Sequence, residues 1–434
     1  MSDYKSKNPF SINWRLWLTV GLGVKRWLIV LSLAAALIGV GVVNILTWLY
    51  EAGWIYSAFL RRLALENLRN GPRAIILLTL GIGLGLFILA VIKLGRSLVE
   101  PFRQPNEDIA ESLVRIHRQE RGPRIVAIGG GTGMPSLLRG LKTHTSNITA
   151  IVTVADDGGS SGRLRREYGL LPPGDFRNNI AALAKDEGLM TQLIQYRFGE
   201  GISAETPSQL GGHAFGNLLI AALTGITGSF DEALLHVNKV LAMDGRVMPS
   251  TINQVTLVAE IEKDGQMQRV AGESAIPKVG GRIRRVSLEG KQVRGYPAAL
   301  RAILQAELVV MGPGSLYTSV LPNLLVPEIA SALLHTRAKK IYVCNVATQP
   351  GETDGFSVSD HVTAIQQHVG QNCLDYVVAH SAENNPSPEI MGKTVFVPAD
   401  DIEHALLILA DLADSARPWR HDSAKVAKII TELI

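Results

Sequence analysis

Cysteine is nearly missing from this chain of 434 residues, and the two present, Cys344 and Cys373, cannot build a framework of several disulfides or a four-thiolate zinc site. A reduced, intracellular compartment is the expectation. Charge is also sparse: Asp, Glu, Lys and Arg make up 19% against 47% hydrophobic residues, which excludes a disordered chain. Internal repeats and low-complexity tracts are absent too, so repeat architectures and fibrous proteins fall away. Glycine alone is in surplus, with 42 residues and no three-residue period, so the excess belongs to local turns rather than to collagen.

The pI near 9 suggests a basic partner surface until the chain is divided. Residues 1–121 carry 15 Lys and Arg against 8 Asp and Glu, a net of +7, whereas 122–434 carry 28 against 31, a net of −3. A basic stripe for nucleic acid is therefore not expected, and the positive charge flanks apolar segments where lipid headgroups could meet it. Trp27–Tyr50 is 24 residues without a charge, and Ala74–Ile92 is another 19, closed by Lys93 and Arg96. As helices they would reach about 36 and 28 Å, enough to cross a bilayer. Apolar sequence continues well past a cleavage site near Ala34-Ala35-Ala36, which argues for an anchor over a cleaved signal. Trp27, Trp48, Tyr50, Trp54 and Tyr56 collect at the ends of the first run, where interfacial aromatics belong. The expectation is a transmembrane hairpin over 1–100, with helices at about 27–50 and 74–95 and both termini on one side. Basic residues before the hairpin (Lys5, Lys7, Arg15, Lys25, Arg26) and in its loop (Arg61, Arg62, Arg69, Arg73) nearly balance, so charge alone does not orient it.

Residues 101–122 read as a linker with a short helix over Asp108–Arg118, and 123–434 as one domain. Apolar runs at Arg124–Ile128, Ile148–Val154, Leu308–Met311, Lys340–Val346, Tyr376–Val378 and Val395–Val397 alternate with helical patterns. Continuous rather than alternating apolar strands imply a doubly wound, mostly parallel α/β sheet of Rossmann-like type, covered on both faces. Val255–Ile261, a Lys263-Asp264-Gly265 turn, Gln268–Val270 and Ile283–Leu288 predict a small antiparallel β insertion over about 252–290.

Ligands of such sheets gather beyond the carboxyl ends of the strands, and that is where the glycines are. Gly129 to Gly133, with Gly130, Gly131 and Thr132, leads from strand to helix and offers amides to a phosphate; the dinucleotide fingerprint fails at Ser136, and a bare tight turn is the alternative. Asp156, Asp157, Gly158, Gly159 and Ser160 follow the second strand. The two carboxylates suit a divalent ion or ribose hydroxyls, and capping or a solvated turn is the alternative. Gly158-x-Ser160-x-Gly162 also spells a serine-hydrolase elbow, although two aspartates and two glycines separate the serine from its strand. Asp175, Arg177 and Asn178 follow a double proline, with Arg177 suited to forked phosphate contacts and Asp175 alternatively a helix cap. His213 and Asn217 open a very apolar helix. His213 is a base, a phosphate donor or a packed side chain. Gly312, Gly314 and Ser315 form a second strand-to-helix anion turn. Thr348 to Gly355 leads to a helix capped at Ser357/Ser359, on which His361 and His368, lacking a third ligand, read as surface or packing residues. Five polar, glycine-punctuated loops on one sheet edge point to a phosphorylated, nucleotide-like ligand.

The strings GGGTG, TVADDGGSSGRLR, LPPGDFRNN, GHAFGN, GRVMPST, GPGSLYTSVLPNLLV and TQPGETDGFSVSDH occur in an order that closely resembles the YvcK/CofD-like family, over Arg124 to about Ala379. The nearer branch is that of the YvcK-type gluconeogenesis factors. That resemblance implies a regulator rather than an enzyme, linked to gluconeogenic growth, cell shape and envelope synthesis, and binding nucleotide sugars such as UDP-N-acetylglucosamine. The CofD branch implies the alternative, a transferase moving phospholactate from a nucleoside diphosphate derivative to a deazaflavin alcohol. There an aspartate after the second strand holds a metal, which puts Mg2+ with the nucleotide at Asp157 or its neighbour Asp156. Those two aspartates are then the catalytic candidates. The hairpin departs from the mostly soluble branch, and a membrane location with the large domain and both termini in the cytoplasm is expected. The ligand is the expected principal partner, beside membrane lipid, with room for homo-oligomers and regulatory proteins.

Overall fold

The computed structural model describes residues 24–52, 73–99, 122–185, 188–199, 210–241, 243–381 and 395–434, in two compact units, Met1–His117 and Arg118–Ile434. The expected linker, with its helix over Asp108–Arg118, lies outside the described residues but for residue 122.

In the first unit, helices α1 (Val24–Glu51) and α2 (Arg73–Val99) pack against each other, and both contain stretches long and apolar enough to span a bilayer, Arg26–Leu46 and Leu78–Gly95. Glycines let them approach. A Cβ on Gly41 would stand 2.7 Å from Leu80 Cδ1, and one on Gly83 would stand 3.0 Å from the backbone nitrogen of Ile38.

The second unit is an α/β fold around seven strands. They are β1 (Ile125–Gly129), β2 (Ile148–Val152), β3 (Arg246–Pro249), β7 (Leu308–Met311), β8 (Lys339–Val343), β9 (Tyr376–His380) and β10 (Leu406–Ala410), all parallel, in the order β10-β9-β8-β7-β1-β2-β3. β1 and β7 are buried at every position, which is why they read as unbroken apolar runs. Between β3 and β7 the chain makes the antiparallel insertion β4 (Thr256–Lys263), β5 (Gln266–Ala271) and β6 (Arg282–Glu289), with β4 in the middle.

Three strands differ from expectation. Val395–Val397 is not a strand of the sheet: Phe396 makes only an isolated antiparallel bridge to Ala347, and Val395 is half exposed. The sheet edge is instead β10, whose Leu- and Ala-rich sequence favours helix until parallel pairing with β9 overrides it. The opposite edge, β3, is four residues ending in Pro249, too short to announce itself and of a kind tolerated only at an edge.

The helices that matter for the site are α3 (Gly133–Leu141), α4 (Gly159–Tyr168), α5 (Gly174–Leu183), α6 (Leu189–Gln195), α7 (Phe215–Thr227) and α12 (Ser423–Glu432). α12 lies on α3, and Gly140 permits it: a Cβ there would collide with the Ser423 carbonyl and come within 2.7 Å of the Ala427 Cβ.

Candidate functional site

The chain leaves β1 toward β2 on one side and β7 toward β8 on the other, so the loops after β1 and β7 part at the point where strand order reverses. Open α/β sheets form their ligand crevice there. The two loops interlock. Gly131 turns with φ +63°, a Cβ on Gly133 would press to 2.6 Å from the Pro313 carbonyl oxygen, and Asn323 Nδ2 donates to the carbonyls of Gly129 (2.9 Å) and Ser319 (2.8 Å). A third loop braces them: the Gly314 amide donates to Asn345 Oδ1 (3.3 Å), Asn345 Nδ2 to Gln349 Oε1 (3.1 Å), and Gln349 Nε2 to Ser315 Oγ (2.9 Å). Together they enclose a cavity of about 370 Å³. Thr132, Gly133, Ser136, Gly314 and Ser315 form one wall, and Glu352, Trp419 and Arg420 contribute to the rest.

Carboxylates gather beside the loop after β1, with only Glu352 on the cavity lining, and three of them are aimed by a backbone amide. Asp175 is not the cap of α5, whose N-cap is Pro173 without a side-chain bond; it stands in the first turn and accepts from the Gly131 N–H at 2.7 Å. Asp156 Oδ1 accepts from Gly158 (2.9 Å), and Asp157 Oδ1 accepts from the Ser274 amide (2.9 Å). That last bond pins the segment that follows β5 and brings in Glu273, which sequence reasoning missed because nothing in the hairpin pattern marks it. Burial raises the pKa of Asp156, and it takes Asp175 to about 6 with help from Asp156. Burial and the repulsion of Asp156, Asp175, Asp157 and Glu352 push Glu273 to about 8. Burial takes Glu352 to about 7 against hydrogen bonds from Thr318 and nearby amides.

These acids hold their protons more tightly folded than unfolded. The stability they contribute is complete below about pH 4 and is lost as pH rises through about 6, 7 and 8. The buried histidines act in the opposite sense, because their pKa values are lowered, but only below about pH 6.5. Thermal unfolding of the detergent-solubilised protein should therefore show Tm falling by roughly 2 °C or more between pH 7 and 8.5. Glu273→Gln should flatten that slope and raise Tm at pH 8.5. A Tm that holds level, or rises, would contradict the arrangement.

Arg177 is buried on α5, with Nη2 donating to Asn178 Oδ1 at 2.9 Å and Nε without a partner among the described residues. Burial and nearby Arg197 lower its pKa. Ser160, His213 and Asn217 meet away from the cavity lining: Asn217 Nδ2 donates to Ser160 Oγ (3.0 Å), which shares a hydrogen bond with His213 Nδ1 at 3.0 Å. All three are buried, and among the described residues no carboxylate is hydrogen-bonded to the imidazole, so the elbow spelled by the sequence lacks the orienting acid of a hydrolase triad. The trio ties α4 to α7. Gly130, Gly131, Thr132, Gly133, Gly312, Gly314 and Ser315 belong to the interlocked loops; Gly158 and Gly159 open α4, Gly159 with φ +47°.

Among the described residues no group of three or more His, Cys, Asp or Glu is arranged to hold a metal ion. The donor chemistry nonetheless suits Mg2+. Asp156 and Asp157 are adjacent oxygen donors, and the negative field evident in the raised carboxyl pKa values is one that a divalent cation relieves. Such an ion would take its remaining ligands from water and the bound phosphates.

The residues from 125 to 426 match the family described as 2-phospho-L-lactate transferase CofD. The gluconeogenesis factor of Bacillus subtilis is 46% identical over 322 residues, covering 72% of this chain and 98% of its own. The chain belongs to the CofD/YvcK family. Within it, a Nostoc sp. relative is 42% identical over 449 residues and covers 98% of this chain, so that alignment takes in nearly all of the N-terminal unit. A Bacillus halodurans protein of known crystal structure is 44% identical, with a TM-score of 0.65, and spans 71% of this chain and 99% of its own. CofD/YvcK membership accounts for the fold and for the order of the loops. Besides Glu273, sequence reasoning missed Glu352 and Trp419-Arg420 as cavity-lining residues; the cue was available only in the clustering of Trp, Arg and His ahead of a capped helix.

Proposed function

We propose that the protein binds a nucleotide sugar of the UDP-N-acetylglucosamine kind and acts as a regulator, tied to gluconeogenic growth and to cell shape and envelope synthesis. The observation that carries this reading is the pair of interlocked glycine loops at the switch point, facing a polar cavity of about 370 Å³, a size suited to a small-molecule ligand. Amides at the start of α3 would take the diphosphate, with the Gly312–Ser315 turn beside them. Asp156/Asp157 would face ribose, sugar or a Mg2+ that neutralises phosphate charge, and Arg177 would orient the ligand, whereas Asn217, expected from the sequence to do so, is committed to Ser160. The naming of relatives as gluconeogenesis factors supports the regulatory side.

Calorimetry of the full-length protein in detergent with UDP-N-acetylglucosamine tests this, and no heat at millimolar ligand would remove it. Arg177→Ala should weaken binding about 10- to 100-fold, the loss expected for one charge-assisted contact. Unchanged affinity would take Arg177 out of the site.

The family description and the ring of carboxylates favour one second reading, metal-dependent transfer of a phosphorylated group from a nucleoside diphosphate derivative. Incubation with such derivatives, magnesium and a deazaflavin acceptor discriminates, because release of nucleoside monophosphate is required by it alone.

We further propose that α1 and α2 span the cell membrane with the large unit in the cytoplasm. The two native cysteines are buried, so a Ser57→Cys variant adds a single new thiol in the stretch between α1 and α2. It should be labelled from outside intact cells. Labelling only after lysis would reverse the orientation.

A further inference from the structure

Glu352 is 7% exposed and faces the cavity from the loop after β8. Its Oε1 accepts from Thr318 Oγ1 at 3.0 Å, on the segment that follows Ser315; the Ser315 hydroxyl and the Tyr317 and Thr318 amides also favour the charged form, while Oε2 is buried with no hydrogen-bond partner among the described residues. A buried oxygen left unpaired costs about 1–3 kcal/mol, so a group placed this way calls for a ligand or a proton. Ligand phosphate brought against Thr132, Gly133 and Ser315 would come close to this carboxyl, and a carboxylate there would repel it. A neutral acid would donate.

We propose that Glu352 is a specificity-determining residue of the cavity, binding a phosphate-bearing ligand as the neutral acid, with the proton on Oε2 donated to a phosphate oxygen. The proton comes from solvent, so one is taken up per ligand whenever Glu352 is ionised beforehand; no bond is broken. The inference rests on the ligand class proposed above. Other charges around Glu352 are Glu273 on the segment after β5 and, on the cavity lining, Arg420, the one cation among the described lining residues. His421 also lines the cavity but is neutral, its pKa lowered to about 4 by burial. Beyond Tyr317 lie Arg282, Arg284 and Asp360. Burial already lifts Glu352 to about 7, so the proton is within easy reach near neutrality.

The test is calorimetry of the full-length protein in detergent at pH 8, in two buffers of different ionisation enthalpy, with UDP-N-acetylglucosamine and separately with inorganic pyrophosphate. The nucleotide sugar is the decisive probe, because its diphosphate carries no group that titrates near neutrality. Wild type should take up close to one proton per ligand, and affinity should weaken toward tenfold per pH unit above 7. Glu352→Gln, which keeps the shape and supplies an N–H donor, should bind within about threefold of the wild type at pH 6 and show uptake reduced by nearly one proton. Binding by wild type without uptake, or equal uptake by the variant, overturns the role of Glu352 while leaving the ligand class intact. So does loss of all binding by a variant whose circular dichroism and Tm match the wild type. Failure of wild type to bind either probe at pH 6 overturns both.

Discussion

Gly140→Ala should lower the melting temperature by roughly 2–5 °C and cost the protein most of its ligand affinity. Alanine is ordinarily the better helix residue, by up to about 1 kcal/mol over glycine, so a naive expectation has the opposite sign. Contact decides. The added methyl would fall on the Ser423 carbonyl and within 2.7 Å of Ala427 Cβ, and the obstacle is the backbone of α12 rather than a flexible side-chain end. Overpacking of this kind costs about 1–3 kcal/mol, with the upper end expected when backbone must shift. The residues just ahead of α12, Trp419 to His421, line the cavity, and His421 Nε2 is held by the Cys344 carbonyl at 3.0 Å. Displacing α12 therefore opens the ligand site from behind. Thermal unfolding and calorimetry on one preparation check both halves; a Tm within 1 °C of wild type would show that α12 yields without cost.

Gly133→Ala should abolish measurable binding, a loss of 100-fold or more, for a smaller change in stability. Its Cβ would stand 2.6 Å from the Pro313 carbonyl oxygen and 3.0 Å from the Gly314 nitrogen, so the two anion loops would have to separate. Gly159→Ala is the control: φ is +47° but nothing lies within 4 Å of the added atom, so only conformational strain of about 1–2 kcal/mol is incurred. If both substitutions reduced affinity alike, the close approach of the loops would not be what the ligand needs.

The parallel sheet was legible because β1 and β7 are buried cores of continuous apolar sequence, and the glycine loops because each must turn sharply at a strand end. β10 and β3 were not, since edge strands are half exposed or very short and carry little period of their own. Among site residues, Asp156, Asp157, Asp175 and Arg177 announce themselves by sitting in loops with glycine and proline. Glu273 and Glu352 do not. Glu273 enters only because Asp157 captures the Ser274 amide, a contact across 117 positions, and Glu352 acquires its character only from the loops that bury it. Such residues are defined by tertiary closure, which a pattern along the chain cannot express.

The pairing of β1 with β7 also sets a schedule for synthesis. Ile125 aligns with Leu308, and at the neighbouring pair Arg124 and Glu307 the chain closes on itself across 183 positions. At translation rates of about 5–20 residues per second the central strand waits roughly 10–40 s for its second neighbour. During that interval the N-terminal hairpin has long been made, while β1 offers the nascent chain an apolar, unpaired edge. A ribosome-bound chain arrested before Leu308 should consequently depend on chaperones, whereas one extended past Asn323, which clasps the Gly129 carbonyl, has both halves of its glycine cradle in hand.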